Sequence, residues 1–534
     1  MRDADVIDPE TDPTATWALE PDEVQRLAAR LAVAPGAARG LTRAPATGAP
    51  LAELPRSTPD DVVAAASTAR RAQPAWAATS PAERSAVLLR FHDLLLDRQS
   101  EVLDLIQLEN GTARSSAYEE VADAALVARH YARRVTHYLA PQRVPGLIPV
   151  LTGATVHRHP VGLVGVIAPF NYPLNLSIGD ALPALVAGNA VLVKPDPQTA
   201  LTALWAADLL VEAGLPADVL QVVHGDGPTL GTALVDAVDH LVFTGSTATG
   251  RVVAARAGAR LIGVTLELGG KNALYVAEDA DPAVAAEGAV RASFSNTGQL
   301  CVSMERILLH EAVADAFLAE LLPRVRALRL GAALDYSADV GSLTSAAQLA
   351  RVRAHVEEAV AHGATVLVGG KHRPDVGPLF FEPTVLDGVP AHAPVFAEET
   401  FGPVVAVYRV SSDDEAVDVI NESTLGLNAS VWTRDVARGR RIAARVEAGS
   451  VNVNEGYALA WGTTAAPSGG VKDSGLGRRH GAEGIWATTW TQTVAVQRGA
   501  SHGFGLGRLY ALPGETWTDL FTRGLRLMKA LRLP

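Results

Sequence analysis

Short, mostly unbroken apolar runs separated by helical stretches dominate the middle of the chain. Residues 161–168, 190–194, 219–223, 240–244 and 261–266 are such runs, and they do not alternate apolar with polar positions. Strands covered on both faces read this way, and their alternation with helices is the pattern of βαβ units around a buried parallel sheet. They predict a doubly wound domain. A second α/β alternation opens at 272–276 and continues through 365–368, 404–408 and 450–454, with helices over 313–328 and 346–362 between them. The predicted fold class is α/β, with two sheets.

Upstream, residues 58–135 carry apolar positions at helical spacing. Pro59-Asp60-Asp61 opens one helix, and Ser80-Pro81-Ala82-Glu83 reads as a capping box with proline at the first helical position. Residues 1–55 are rich in Pro, Ala, Thr and Asp and are expected to form an irregular N-terminal arm with one helix near 22–31. Segments 156–159 and 490–497 look like strands with no place in either sheet. Such strands pair with each other or with another subunit, so a homodimer or homotetramer is expected.

A chain of 534 residues exceeds one hydrophobic core, since single cores stop growing at roughly 250–300 residues. Hydrophobic residues at 48%, charged residues at 19% and a mean hydropathy of +0.15 describe a folded globular protein. The net charge of −12 argues against nucleic acid as a partner and turns attention to small molecules. The acidic start Met1-Arg2-Asp3-Ala4-Asp5 lacks the basic and apolar regions of a secretion signal, and no run reaches the roughly 18 apolar residues of a spanning helix. With a single cysteine, a cytoplasmic location is expected. Beyond residue 497, Trp517, Leu520, Phe521, Leu525, Met528 and Leu531 fall near helical spacing, while Arg523, Arg526, Lys529 and Arg532 occupy another face. Such a helix either docks on its own subunit or lies on a membrane surface.

The single cysteine, Cys301, cannot form an intrachain disulfide or build a zinc site alone. It is either a small buried hydrophobe or a nucleophile. Phe243-Thr-Gly-Ser-Thr-Ala-Thr-Gly250 puts glycines where a strand turns into a helix, which suits either a plain turn or backbone approach to a phosphate. Glu267, in Thr265-Leu-Glu-Leu-Gly-Gly-Lys-Asn272, stands at a strand end between the two predicted domains, where ligands of doubly wound sheets bind. Asn171, in Pro169-Phe-Asn-Tyr-Pro-Leu174, is a turn residue or an amide donor to an oxyanion.

Together with Lys194 in VLVKP, Glu399 in EETFGPV and the closing PSGGVKDSG ending at Gly475, these motifs resemble in order and spacing the aldehyde dehydrogenase superfamily. The resemblance runs from about 50 to 497 and is strongest to bacterial succinate-semialdehyde dehydrogenases of a second type. It implies a Rossmann-type NAD(P)-binding domain at 56–140 and 161–268, a catalytic domain at 269–482, a small β oligomerisation arm at 141–160 and 483–497, and a C-terminal extension at 498–534. By the same resemblance, Cys301 adds to the aldehyde, the Asn171 amide and the Cys301 backbone N–H hold the oxyanion, hydride passes to the nicotinamide, and Glu267 activates the water that hydrolyses the thioester. Glu399 would hold the nicotinamide ribose and Lys194 the adenosine ribose, in a cleft completed by Ala168, Pro169, Phe170, Asp196, Pro197, Gly225, Gly245, Ser246, Gly250, Leu268 and Phe401. Tyr172, Leu176, Leu300, Tyr457 and Trp461 would line an aldehyde tunnel. No metal is called for.

The chain departs from this pattern in three places. Strictly NAD-dependent relatives carry a ribose-binding glutamate where Pro197 stands, so NADP is expected to be accepted and preferred, with NAD also usable. The two arginines that clasp the substrate carboxylate in succinate-semialdehyde dehydrogenases correspond to Gly179 and Ser295, which leaves medium-chain or aromatic aldehydes as alternatives. Ser303 stands where a second active-site cysteine would form a redox switch. A CoA-acylating dehydrogenase and a non-catalytic binding protein are the remaining rivals. Glu267 argues against the first, and Cys301, Glu267 and Asn171 together against the second.

Overall fold

The structure, a computed structural model, describes residues 21–148, 151–498 and 505–532. Both sequence-level helix starts form as capping boxes. The Thr58 hydroxyl accepts the Asp61 N–H at 3.3 Å while the Asp61 carboxylate accepts the Thr58 N–H at 2.8 Å, and Ser80 and Glu83 reproduce the exchange. The helices Pro59–Ala78, Pro81–Asp97, Gln99–Asn110 and Arg114–Tyr138 bury Val62, Phe91, Val102 and Val121 in one core with Val164, Leu192 and Leu241 of the first sheet.

That sheet has six strands among the described residues, in the order Gly475–Leu476, Gly263–Glu267, His240–Thr244, Leu163–Ile167, Ala190–Lys194 and Leu220–Val222. All neighbours run parallel except the first pair, so chain order reverses between Leu163–Ile167 and His240–Thr244. A reversal of this kind opens a crevice at the carboxyl ends of the strands. The second sheet has seven strands, Thr365–Val368, Thr384–Asp387, Val404–Val410, Met304–His310, Asn272–Val276, Asn428–Trp432 and Ser450–Val453, with only the outer Thr365–Val368 antiparallel to its neighbour. Only Leu268, Gly269, Gly270 and Lys271 separate the end of the Gly263–Glu267 strand from the start of Asn272–Val276. The carboxyl ends of one sheet therefore meet the amino ends of the other.

Three strands of the second sheet escape the apolar-run criterion. Met304–His310 carries Glu305 and Arg306 inside it, and both are buried. Glu305 is paired with Lys271 at 2.5 Å, and the Arg306 guanidinium donates to the carbonyls of Lys271 and Val419 at 3.1 Å each, so internal pairing replaces the solvent that such side chains ordinarily require. Asn428–Trp432 is disguised in the same way by the buried, hydrogen-bonded Asn428 and Ser430. Thr384–Asp387 is simply short.

The irregular arm expected over 1–55 is corrected for its described part. Residues 21–55 hold the helix Pro21–Ala28 and an antiparallel hairpin of Arg39–Arg43 with Pro50–Pro55, and Leu27 and Leu54 join the first core. Burial alternates strictly along Arg39–Arg43, but Gly40 and Thr42 are the buried positions and Leu41 is exposed, so the residues themselves carry no alternation of apolar and polar. Residues 1–20 lie outside the described residues. The two unplaced strands do pair, as Thr152–Pro160 against Thr489–Gln497, with Gln142–Pro145 on the other edge. The tail forms the helix Gly514–Ala530, whose Leu520, Phe521, Leu525 and Met528 face Leu147, Ile148 and Leu151 across a groove. No helix among the described residues is long and apolar enough to cross a membrane.

The Lys271–Glu305 pair predicts its own test. Lys271→Met leaves a buried carboxylate without its counter-charge and should cost about 3–5 kcal/mol, read as a lower thermal unfolding midpoint. An unchanged midpoint would show that the pair does not hold the second sheet.

Candidate active site

Glu267 is the last residue of its strand and lies opposite Gly475 in the antiparallel register. It is buried, and its Oε1 has no hydrogen-bond partner among the described residues. Burial pushes its carboxyl up to about 8, with the Arg479 guanidinium opposing the shift and the Asp180 carboxylate adding to it.

Cys301 approaches the same seam from the second sheet, just before Met304–His310. The preceding turn is left-handed at Asn296 (φ 49°), Thr297 (φ 56°) and Gly298 (φ 68°). A side chain at Gly298 would collide with the backbone carbonyl of Gly402, and the two non-glycine residues each store about 1–3 kcal/mol of strain. Hydrogen bonds hold the turn in this shape. The Asn296 amide donates to the carbonyls of Asn171 (2.9 Å) and Gln299 (3.0 Å), and Asn171 Nδ2 donates to the Gln299 carbonyl at 3.0 Å. The Asn171 loop and the Cys301 loop are thereby locked together, and the Asn171 amide keeps a second N–H to offer. Burial pushes the Cys301 thiol up to about 12, reinforced by the carboxylates of Glu399 and Glu267 and opposed by Arg479.

Cys301 and Glu267 line two cavities at once. The larger is a cleft of about 340 Å³ at the reversal point of the first sheet, walled by Ala168, Pro169, Phe170, Asn171, Lys194, Asp196, Gly245, Ser246, Leu268, Glu399 and Phe401. Glu399 reaches it from a loop fixed by Glu305, whose carboxylate accepts the N–H groups of Thr400 (2.9 Å) and Phe401 (2.8 Å). Glu399 Oε1 accepts the Gly270 N–H at 2.9 Å, and burial with the nearby Glu305 raises its carboxyl to about 8. Lys194 is buried with its ammonium on the Pro195 carbonyl (3.1 Å), and burial lowers its pKa. Asp196 caps the following turn by accepting the Gln198 N–H at 2.9 Å.

Three of the expected cofactor residues lie off the cleft wall. Gly250 packs against the Leu268 side chain, where any Cβ would collide, Gly225 stands against Leu230, and the Pro197 carbonyl faces His224. Gln348 and Arg351, from the helix Ala346–Ala361, do line the cleft, and nothing in their sequence surroundings marks them.

The smaller cavity adjoins Cys301 on the other side and is lined by Leu176, Val302, Leu427, Tyr457, Trp461 and Arg479 among others. Tyr172, Leu300, Tyr457 and Trp461 pack in one apolar cluster around the cysteine. Ser295 caps the end of the helix Pro282–Phe294, next to the Tyr457 hydroxyl. Glu119 accepts hydrogen bonds from the hydroxyls of Tyr172 (3.2 Å) and Tyr457 (2.9 Å), a contact that sequence reading missed. Ser303 is turned away and donates to the carbonyls of Ala292 and Ser293.

A thiol, a carboxyl and an amide thus converge between a crevice shaped for a dinucleotide and a small apolar chamber. Residues 36–494 match the model of the aldehyde dehydrogenase family. The chain belongs to that family. It is 51% identical over 485 residues, 91% of this chain and 93% of the other, to a Mycolicibacterium smegmatis protein named "Putative succinate-semialdehyde dehydrogenase (NADP+)". It is 37% identical over 444 residues, 81% of this chain and 82% of the other, to the mitochondrial succinate-semialdehyde dehydrogenase of Oryza sativa subsp. japonica. Among solved structures, the succinate-semialdehyde dehydrogenase of Burkholderia pseudomallei superposes with a TM-score of 0.83 at 35% identity, covering 87% of this chain and 96% of that one. An E. coli NADP-dependent enzyme gives 0.84 at 33% identity, covering 89% and 99%.

The cleft of this aldehyde dehydrogenase fits a nicotinamide dinucleotide. The helix Thr247–Ala259 opens at its edge with Ser246 as N-cap, a natural seat for phosphate, and Gly269 leaves room beside Glu399 that a side chain would fill.

The electrostatics carry a testable sign. Because the Glu399 carboxylate holds the thiol up, Glu399→Gln should speed alkylation of Cys301 by iodoacetamide at pH 9 in cofactor-free protein. Equal or slower labelling would contradict the assignment of that cause.

Proposed function

We propose that this aldehyde dehydrogenase oxidises succinate semialdehyde to succinate, preferring NADP and accepting NAD. The observation that supports the reading best is the double exposure of Cys301 and Glu267, to the dinucleotide cleft and to the apolar chamber. The Cys301 thiolate adds to the aldehyde carbon, and the free N–H of Asn171 with the Cys301 backbone N–H receives the oxyanion. The dinucleotide, when bound, accepts the hydride. Glu267 then takes a proton from the water that attacks the thioester, the C–S bond breaks, and Cys301 leaves as thiolate. A CoA-acylating enzyme would have no use for this base.

The substrate follows from the names of the relatives, which reach 51% identity over most of the chain. The cofactor preference rests on the same names and on Pro197, which follows the cleft residue Asp196 just off the wall and offers no carboxylate to repel a 2′-phosphate. Asp196 is engaged as a cap, and Lys194 supplies positive charge at that end of the cleft. The three-stranded sheet exposes Val144, Trp490, Val494 and Val496, which supports a homo-oligomer. A cytoplasmic location fits the single free thiol.

Steady-state kcat/KM for succinate semialdehyde, hexanal and benzaldehyde with each dinucleotide tests the reading. The highest value is expected for succinate semialdehyde with NADP, and kcat should rise with pH through about 8 as Glu267 loses its proton. A higher value with either uncharged aldehyde would overturn the substrate. A kcat/KM with NAD equal to or above that with NADP would overturn the cofactor preference.

A further inference from the structure

Behind Glu267 lies a buried cluster of charged groups that the chemistry above does not use. Arg479 and Asp180 form an ion pair at 2.6 Å, with side-chain exposures of 5% and 6%. Asp180 directly follows the turn Asn175–Gly179, itself a continuation of the loop that carries Asn171. Arg479 follows the short strand Gly475–Leu476, which pairs with the strand carrying Glu267. The pair therefore ties the oxyanion loop to the base.

Backbone and ring contacts fix the arginine further. Its backbone exchanges hydrogen bonds with Ser468 at 2.7 and 2.8 Å, its guanidinium stacks on Trp461 with 5.0 Å to the ring centroid, and the next residue, His480, is held at φ 59°. Arg479 Nε and Asp180 Oδ2 have no partner among the described residues. In the chamber shared by Cys301 and Glu267, Arg479 is the one cationic lining residue among the described residues, since Lys194 and Arg351 line the dinucleotide cleft instead.

We propose that Arg479, held in place by Asp180, is a positioning residue for thioester hydrolysis: it supplies the positive charge that keeps Glu267 ionisable within its buried site. The charged groups facing Glu267 are Arg479 and Arg478, which favour its ionised form, and Asp180, which opposes it. Those facing Arg479 are Asp180, Glu267, Asp123 and Cys301. Burial alone would weaken the charge on Arg479, and these neighbours, Asp180 first, more than restore it. His480 lies beside them but stays neutral, because burial and then Arg479 itself lower it to about 3. Taking an unpaired carboxylate out of water is expensive, and a fixed cation lining the same chamber recovers part of that cost for the ionised form alone. An arginine suits the task because its charge persists when buried.

The inference rests on Glu267 being the base, so the experiment includes a variant that tests that reading separately. In the full-length enzyme with succinate semialdehyde and NADP, the pH dependence of kcat and the amplitude of the first-turnover NADPH burst are measured for Glu267→Gln, Arg479→Gln and Arg479→Lys. Glu267→Gln should keep a burst near one per site and lose turnover, and normal turnover in it would sink the reading of the base. If that holds, Arg479→Gln should keep the burst, lower kcat at pH 7.5 by about tenfold or more, and move the acid limb of the kcat profile about one unit to higher pH. Arg479→Lys should restore the limb. An unmoved limb in Arg479→Gln, or loss of burst and turnover together in both arginine variants, overturns the proposal.

Discussion

The partial withdrawal of a thiol and two carboxyls from water, at the seam between two mostly parallel sheets, is the constraint on which this molecule turns. Cys301, Glu267 and Glu399 are each pushed toward the neutral form, chiefly by burial and then by nearby carboxylates: Glu399 and Glu267 beside Cys301, Asp180 beside Glu267, and Glu305 beside Glu399. A site of this kind is inert unless charge is returned to it selectively. Arg479 returns some of it permanently, and the dinucleotide cleft is where the rest must arrive with the cofactor. The sheets make the arrangement unavoidable, because the chain leaves one at Glu267 and enters the next at Asn272 with four residues between, so groups from both are forced into one small volume.

Buried polar contacts hold the loops around the seam in place. The left-handed turn at Asn296 to Gly298 persists because Asn296 and Asn171 share acceptors across the two loops. The loop bearing Glu399 persists because Glu305 satisfies two of its backbone N–H groups while its own charge is met by Lys271. Each of these groups would be costly to bury alone, and each is affordable only as part of a connected set. The strain and the networks stand where reacting atoms must be held within fractions of an ångström.

Much of this was legible in the chain. The parallel strands of the first sheet announce themselves as apolar runs, and Cys301, Glu267, Asn171 and Glu399 sit in motifs whose order identifies the family. What was hidden follows a physical rule: apolar patterning fails wherever burial is achieved by pairing charges. Glu305 and Arg306 concealed a central strand, and Asn428 another. Asp180 and Arg479 lie 299 positions apart, and no local pattern signals that they meet. The N-terminal hairpin was missed for a different reason, since its buried positions are Gly40 and Thr42 while Leu41 faces outward, so its residues show no apolar alternation.

The central claim is that Cys301 carries the acyl group and Glu267 releases it. Intact-protein and peptide mass spectrometry on Glu267→Gln, quenched with acid after mixing with succinate semialdehyde and NADP, tests this directly. One succinyl group per chain, located on the peptide containing Cys301 and removable by hydroxylamine, is the expected result. An unmodified Cys301 after NADPH has formed, or an acyl group on any other residue, would contradict it.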